Sequence, residues 1–510
     1  MTRSPEETPR RHGRRGIGRL RVVVVLSGLL AVGGVVDRGS RSVPAPAGPV
    51  VQAVPVAAPA SALSSVWFCA GATGQPSNVA DGSLAVANAT PSPLHGMVTF
   101  VGSHGPVQGT ALDVGPYGRT LVPETDAGAG LPAIGAIVDL DGGGAAAEQV
   151  VTGTQGLATA ACASTGSDHW YFADGTTQEN STLLLSLMNP YPEDAVVDLS
   201  FVTEQGVEQP ADFQGLVIPA RALIGVDVGT HLRRRARVAT TVSARTGRVV
   251  AWKTQEVNPL PRNAPGQPSP GQPAGDSAPV RTPGLTLVLG AVSPGTTWWW
   301  PDGLAANGFV ERYQIYNPGS AAADVSLRFA LDQGSAEPIR LSVDPHSTAT
   351  VVSNAETRVP SGVGHAVTLE SANGVGVVAE RTVDAVSPAP RTGLLDLLGA
   401  RLAARSWVIP AGSTSPTLDE WVIVLNPGTA AVDVSIDSLF SGSRYGVGPS
   451  SRKSLAPGQR IAVRINEGDP NLDQALLIAA SGNVVVERDL YPVKSKGLAA
   501  SFGVPLVGTP

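Results

Sequence analysis

The sequence contains few charged residues, and very few of them are lysines. Asp, Glu, Lys and Arg make up 15 % of the 510 residues, and only four residues are lysine. Soluble domains usually carry about a quarter of charged residues. The formal net charge is −6, so the chain lacks the excess of basic residues that marks nucleic-acid binding. We therefore expect no nucleic-acid partner.

Motifs for catalysis and for metal binding are also missing. There is no Gly-x-Ser-x-Gly, no His-Glu-x-x-His and no phosphate-binding loop, and the seven histidines occupy unrelated positions. Asp139 and Asp141 begin an acidic turn, but the remaining ligands of a calcium loop are absent. We predict no catalytic residues, no cofactor and no metal. Distant loops of an all-β protein can still assemble an active site that no motif reveals, so a glycan-active enzyme stays as a third alternative.

Long apolar runs are limited to one stretch near the N-terminus, Val22 to Val36, which follows an arginine-rich segment. A run of this length suits a signal sequence, and the basic flank places the N-terminus inside the cell. We predict a basic cytoplasmic tail at 1–20, a signal anchor or transmembrane helix at 21–38, and a Pro/Ala-rich linker at 39–63. The body then lies outside the cytoplasm, held by a single-pass membrane anchor; secretion after signal-peptide cleavage is the alternative.

An internal repeat is the most informative feature that the sequence does contain. A tryptophan recurs four times, at Trp67, Trp170, Trp298 and Trp407. An asparagine followed by proline lies 19 residues after each of the last three, at Asn189, Asn317 and Asn426, and Asn88 follows Trp67 at a similar distance. A Gly-Leu segment closes each copy. Repeats of this kind indicate that one structural unit occurs several times.

Each copy shows short alternating strands separated by turn residues, which is typical of half-buried β-strands. We predict an all-β fold of four tandem immunoglobulin-like β-sandwich repeats, with about seven strands each, behind the membrane anchor helix. Two propeller blades per copy also fit the length. The predicted repeats span 64–166, 167–293 with a Pro/Gly-rich insert at 258–284, 294–402, and 403–510. We expect them to form a rod or a compact arc.

The two cysteines fall at informative places in the first copy. Cys69 lies two residues after the repeat tryptophan, and Cys162 lies in the closing Gly-Leu segment. Outside the cytoplasm, such a pair predicts a disulfide. At the same two places, the other copies have a large apolar residue and a glycine. We expect Phe172 to face Gly290, Trp300 to face Gly399, and Ile409 to face Gly503.

Three consecutive tryptophans, 298–300, could form an aromatic platform for sugar binding. Alternation along a strand places Trp298 and Trp300 on one face and Trp299 on the other. The matching positions in the other copies are all apolar, which favours packing in the core or at a domain interface. Only Trp299 is retained as a candidate ligand contact. The Glu-Arg dipeptides at 380–381 and 487–488 favour structural ion pairs over catalysis.

The pattern W-[YW]-[FW]-x-D-G … N-P … V-V-x-E-R resembles that of a family of membrane-anchored or secreted actinobacterial proteins of unknown function with tandem β-rich repeats. The resemblance implies a place in the cell envelope, and its motifs are structural. We therefore expect a non-catalytic structural or interaction scaffold outside the membrane, with an envelope protein or glycan as partner. A glycan-binding or accessory role in envelope polysaccharide assembly is the alternative.

Overall fold

The structure, a computed structural model, describes residues 55–74, 81–124, 131–260, 282–448, 451–467, 473–493 and 496–506. Within these residues the protein is all-β: it contains antiparallel sheets, four single turns of 3₁₀ helix and no α-helix. The 3₁₀ turns are Ala211–Phe213, Val228–Thr230, Ser353–Ala355 and Ile465–Glu467. The predicted tail, anchor and most of the linker lie outside the described residues. No helix in the described part is long and apolar enough to cross a membrane.

One pairing order recurs along the chain in four consecutive stretches, which we call the first to fourth units. The strands of the first unit are β1 (Ser65–Gly74), β2 (Asp81–Asn88), β3 (Leu94–Gly102), β4 (Gly105–Val114), β5 (Gly118–Pro123), β6 (Leu131–Leu140), β7 (Ala145–Gly153) and β8 (Gly156–Ala161). They form two sheets, β1-β6-β3-β4 and β5-β2-β7-β8. Successive hairpins therefore alternate between the two sheets, which pack on each other as in a sandwich.

The second and third units repeat this order. The strands of the second unit are β9 (His169–Phe172), β10 (Ser181–Asn189), β11 (Ala195–Thr203), β12 (Gly206–Glu208), β13 (Leu216–Ile218), β14 (Ala222–Asp227), β15 (Val238–Thr246), β16 (Val250–Val257) and β17 (Gly284–Leu289). The strands of the third unit are β18 (Thr297–Trp300), β19 (Phe309–Asn317), β20 (Ala323–Leu331), β21 (Ile339–Val343), β22 (Ser347–Val352), β23 (His365–Ser371), β24 (Val378–Ala385) and β25 (Gly393–Leu398). The order β18-β23-β20-β21 with β22-β19-β24-β25 matches that of the first unit.

The fourth unit follows the same plan with one difference. Its strands are β26 (Ala404–Ile409), β27 (Leu418–Leu425), β28 (Val432–Phe440), β29 (Ser443–Gly446), β30 (Arg452–Leu455), β31 (Arg460–Arg464), β32 (Ala475–Pro492), β33 (Ala499–Phe502) and β34 (Val504–Pro505). The long strand β32 pairs with β28 and β26 through its first half and with β27 and β33 through its second half. It therefore takes the place of two strands that are separate in the other units.

The Gly-Leu segments contribute the last strand of the first three units and the last strand but one of the fourth, an addition to the seven strands that the sequence predicted. These four strands, β8, β17, β25 and β33, are here called the axial strands. Each contacts the axial strand of the next unit, and β33 contacts β8. The described residues, from 55 to 506 with the gaps given above, form one compact body. Its units do not continue as a rod, because contacts between the fourth and first units close them into a ring.

The start of the described chain packs on this ring. Ala57 is buried and forms a parallel bridge with Leu506, and the Gly144 N–H donates to the Ala58 carbonyl. The predicted linker, 39–63, thus includes residues that pack against the folded body. The insert predicted at 258–284 lies largely outside the described residues, and its last residue, Gly284, begins β17.

Candidate functional site

The repeat tryptophans and asparagines lie in the interiors of their units. Trp67, Trp170, Trp298 and Trp407 are at most 2 % exposed. The Nε1–H groups of the last three donate to the carbonyls of Val249, Val377 and Val484, at 2.8, 2.9 and 3.1 Å. These three tryptophans therefore join the first strand of their unit to the chain at the start of β16, at the start of β24 and within β32. This arrangement leaves none of the four available to a ligand.

The asparagines make the same set of hydrogen bonds in every unit. Asn189, Asn317 and Asn426 are buried, as is Asn88. In each case the side-chain amide donates to the carbonyl four residues later, at 2.7–2.8 Å, and the side-chain oxygen accepts from the N–H two residues later. A second donation reaches the chain 26 to 30 residues further on. These side chains fix a turn and are structural.

The predicted disulfide is confirmed: Cys69 and Cys162 are bonded, with Cα atoms 4.7 Å apart. The other units fill this place as the sequence indicated. A Cβ built on Gly290 would lie 2.8 Å from the Phe172 ring, and one on Gly399 would lie 2.7 Å from the Trp300 ring. A Cβ on Gly503 would lie 3.4 Å from Ile409. The large side chain covers the point where the axial strand turns back towards the first strand of its unit.

Trp299 lies on the opposite face of its strand from Trp298 and Trp300 and is half-buried. It packs against a small cluster formed by Ala366, Ala400, Leu425 and Val485, which come from the third and fourth units. The side chain thus contributes to the contact between these two units. Trp298–Trp300 do not form an exposed aromatic platform.

We call each contact between consecutive units a seam, and the contact between the fourth and first units the closing seam. Three seams contain an ion pair between a basic residue of one unit and a glutamate of the next. These residues lie on β7, β16, β24 and β32, which hold the same place in their units. The pairs are Lys253 with Glu380, Arg381 with Glu487, and Arg488 with Glu148. The first two have N···O distances of 2.6 Å. All six side chains are at most 2 % exposed.

Each of these glutamates also accepts hydrogen bonds from the turn after the first strand of the preceding unit. Glu380 accepts from the N–H groups of Ala173 and Asp174, at 2.9 and 3.2 Å. Glu487 accepts from Asp302, and Glu148 accepts from Ala411. A charge-assisted hydrogen bond of this type is stronger than a neutral one. The glutamate therefore fastens its unit to both the side chain and the backbone of its neighbour.

The sequence of the first unit contains no Glu-Arg dipeptide, but the register shows the counterpart. Glu148 pairs with Ala85 three residues before Asn88, just as Glu380 pairs with Gln314 three residues before Asn317. The dipeptide of the first unit is therefore Glu148-Gln149. Sequence comparison missed it because "AAAEQ" shares only an alanine and the glutamate with "VVAER" and lacks the basic residue.

A second group of buried carboxyl groups lies near the same seams. Glu311 and Glu420 hold the same place in the third and fourth units, six residues before the repeat asparagine. In the first unit that place is Gly82, and a Cβ built there would lie 1.9 Å from a carboxylate oxygen of Glu124. Glu124 therefore delivers a carboxyl group to this place from a different strand.

The partners of these carboxyl groups differ. His365 Nε2 lies 2.8 Å from Glu311. Although burial opposes it, His365 holds the pKa of Glu311 below its ordinary value. Burial raises the pKa of Glu124 to about 8, against a hydrogen bond from Gln149. The scattered histidines gave no sign of the His365–Glu311 pair, because its members are 54 residues apart.

Beside this pair, a polar cavity of about 90 Å³ opens at the seam between the third and fourth units. Asp302, Glu311, Arg381, Arg391 and Tyr491 line it. The Arg381 guanidinium has two nitrogen atoms, Nε and Nη1, without a hydrogen-bond partner among the described residues. The cavity can therefore accommodate a small group that accepts hydrogen bonds, including water.

A mostly apolar pocket of about 120 Å³ lies at the C-terminal ends of the axial strands. The last residue of each axial strand lines the pocket; these residues are Ala161, Leu289, Leu398 and Phe502. The side chain of Trp407 also lines this pocket, whereas Trp299 is not among its lining residues. Within the described residues no group of histidine, cysteine, aspartate and glutamate side chains is arranged to hold a metal.

The chain belongs to a family of unknown function, DUF5719, whose sequence pattern matches residues 122–384. No curated protein matches it. One solved structure that it matches is an α-L-rhamnosidase from Streptomyces avermitilis in complex with L-rhamnose, at 11 % identity and a TM-score of 0.14. That match covers 86 % of this chain, and this chain spans 43 % of the rhamnosidase.

Proposed function

We propose that this chain is a non-catalytic interaction scaffold of the cell envelope. In this proposal the four units are copies of one immunoglobulin-like sandwich, and the segment 21–38 anchors them outside the membrane. The disulfide between Cys69 and Cys162 supports an oxidising, extracytoplasmic location. Secretion after cleavage of the N-terminal segment is the alternative location.

The observation that carries this proposal is where the recurring polar residues are used. The repeat asparagines fix turns, and the recurring glutamates and basic residues bind the neighbouring unit. An enzyme built on the same frame would need acid, base or nucleophile groups facing a substrate cleft. Residues committed to holding four units in a closed body instead indicate a rigid platform, on which partners bind to the outer surfaces.

Glycan binding is the second candidate, and the polar cavity between the third and fourth units favours it. Arginine, carboxylate and tyrosine side chains of the kind that line the cavity can hydrogen-bond to sugar hydroxyls. Six of the eight tryptophans are buried and the other two, Trp299 and Trp421, are half-buried, so little indole surface is offered for stacking. In this proposal the ligand would be an envelope polysaccharide that enters through its end or a side group.

Two measurements on the full chain distinguish the two candidate functions: retention on envelope polysaccharide and crosslinking to an envelope protein. We expect the membrane-extracted protein to crosslink to an envelope protein in intact cells and to pass through columns of purified envelope polysaccharide. The matched control is Arg488→Leu, which disrupts the closing seam and should reduce crosslinking. Retention on the polysaccharide that is lost in Arg381→Leu but kept in Arg488→Leu, which breaks an equivalent ion pair away from the cavity, would support the glycan role and contradict the scaffold role.

A further inference from the structure

The basic residue at the second–third seam is a lysine, in a chain that otherwise strongly prefers arginine. The sequence contains 36 basic residues, of which only four are lysines. Of the three lysines that the structure describes, Lys453 and Lys496 are exposed and Lys253 is 1 % exposed. The equivalent residues of the third and fourth units are Arg381 and Arg488. The lysine differs from these arginines in carrying a primary amine, which can act as a nucleophile.

The amine of Lys253 is surrounded by carboxyl groups at short distances. Its Nζ lies 2.8 Å from Asp396 Oδ2 and 2.6 Å from Glu380 Oε2. It also donates to the backbone carbonyl of Asp174, at 2.6 Å. The three side chains Lys253, Glu380 and Asp396 are at most 4 % exposed, and the Phe172 ring lies 5.8 Å from Nζ. Water is therefore largely excluded from the cluster.

We propose that Lys253 and Asp396 condense to an amide bond that covalently joins the second and third units. The Nζ lone pair attacks the Asp396 Cγ, a new C–N bond forms, and one C–O bond of the carboxyl group breaks. The proton that leaves the nitrogen passes through the Glu380 carboxyl group to the departing oxygen. One water molecule is released, and no oxidant or other co-reactant is needed.

The two carboxyl groups differ in a way that assigns these roles. Glu380 is held by two backbone N–H groups in addition to Lys253, which fixes it as a proton carrier. Asp396 contacts Lys253 through Oδ2, whereas its Oδ1 has no hydrogen-bond partner among the described residues. The Asp396 carboxyl group is thus the less constrained of the two. Close, aligned reacting groups of this kind can gain a large entropic advantage.

The electrostatics of the cluster determines how much of the neutral amine and the neutral acid is available for the attack. Burial, together with the nearby Asp396, raises the pKa of Glu380 to about 8, and burial also raises the pKa of Asp396. Burial alone would lower the pKa of Lys253, but Asp396 and Glu380 raise it. The neutral amine and the neutral acid are therefore a minor form. A single irreversible condensation during the lifetime of the protein can proceed from such a minor form.

Peptide mapping of the full chain tests the proposal independently of the function proposed above. The exported protein is denatured and digested with trypsin, which cuts after arginine and after lysine with a free amine. We expect one linked species that contains residues 249–262 and 392–401, with the summed mass of the two peptides less one water. Complete cleavage after Lys253 would overturn the proposal, and a link to residues 359–381 would overturn the assignment of Asp396.

Two variants sharpen this result. Lys253→Arg keeps the positive charge but lacks the amine, and we expect no linked species. Glu380→Gln keeps the shape of the side chain but removes the proton carrier, and linking should slow by about 100-fold. A link that forms in Glu380→Gln at the original rate would contradict the role of Glu380. In every variant, the Cys69–Cys162 linkage, read from a non-reduced digest, reports whether the chain has folded.

Discussion

The first–second seam differs from the other three in its chemistry. At this seam, Gln149 and Trp252 occupy the positions that carry a basic residue and a glutamate elsewhere. Trp252 is fully buried, and Gln149 accepts a hydrogen bond from the Gly71 N–H within its own unit. Among the described residues, one seam is therefore held without an ion pair, whereas three contain buried ion pairs. Apolar packing and uncharged hydrogen bonds, such as that from Gln155 to Asn258, join the first two units, so the ion pairs at the other seams need a different explanation.

The explanation that fits this comparison is specificity of pairing. A buried ion pair contributes little net stability, because desolvation offsets the attraction, but an unpaired buried charge is costly. Each basic residue forms its ion pair with a glutamate of the next unit. A wrongly ordered pair of units would leave both charges unpaired. The closing seam, whose partners are 340 residues apart in sequence, benefits most from such a penalty.

The largest expected effect follows from removing one charge at the closing seam. Arg488→Leu leaves Glu148 buried without its cation and should lower the free energy of unfolding by about 3–5 kcal/mol. Urea denaturation followed by tryptophan fluorescence measures this change. The double variant Arg488→Leu with Glu148→Leu imitates the uncharged first–second seam, and we expect it to recover most of the loss. A double variant as unstable as the single one would contradict the pairing explanation.

The disulfide provides a second comparison, between the first unit and the others. Replacing Cys69 and Cys162 by alanine should lower the free energy of unfolding by about 2–4 kcal/mol, because the unfolded chain gains conformational freedom and a space is left unfilled. Calorimetry under non-reducing conditions measures the change. The double variant Cys69→Phe with Cys162→Gly copies the second unit, where Phe172 covers Gly290. It should be more stable than the alanine variant, since the ring fills the space.

These comparisons also show what the sequence could and could not predict. Local patterns predicted the all-β class, the disulfide and the glycines beneath Phe172, Trp300 and Ile409, because those features depend on spacing within one unit. Ring closure was not predicted, because no local pattern encodes a contact such as Arg488 with Glu148. The sequence also did not predict that a residue from another part of the chain can supply the same carboxyl group. Glu124 fills a place that Glu311 fills elsewhere, but it reaches that place from a different strand.

The smallest effect is expected from this last pair of residues. Glu124 has a pKa of about 8 in the folded protein, whereas His365 holds the pKa of Glu311 low. A carboxyl group with a raised pKa holds its proton in the folded state after the unfolded state has lost it, so stability falls as pH rises from about 4.5 to about 8. Glu124→Gln removes this loss and keeps the hydrogen bond from Gln149.

We therefore expect Glu124→Gln to be more stable than the wild type at pH 6 by about 2 kcal/mol, with little difference at pH 4. Thermal unfolding measured across this pH range gives both slopes. The matched variant Glu311→Gln should behave in the opposite way. It removes a carboxylate that is already ionised and paired with His365, so it should be less stable than the wild type at neutral pH. Equal pH profiles for the two variants would contradict this explanation. They would show that the shared buried position, rather than the neighbouring Gln149 or His365, sets the charge of the carboxyl group.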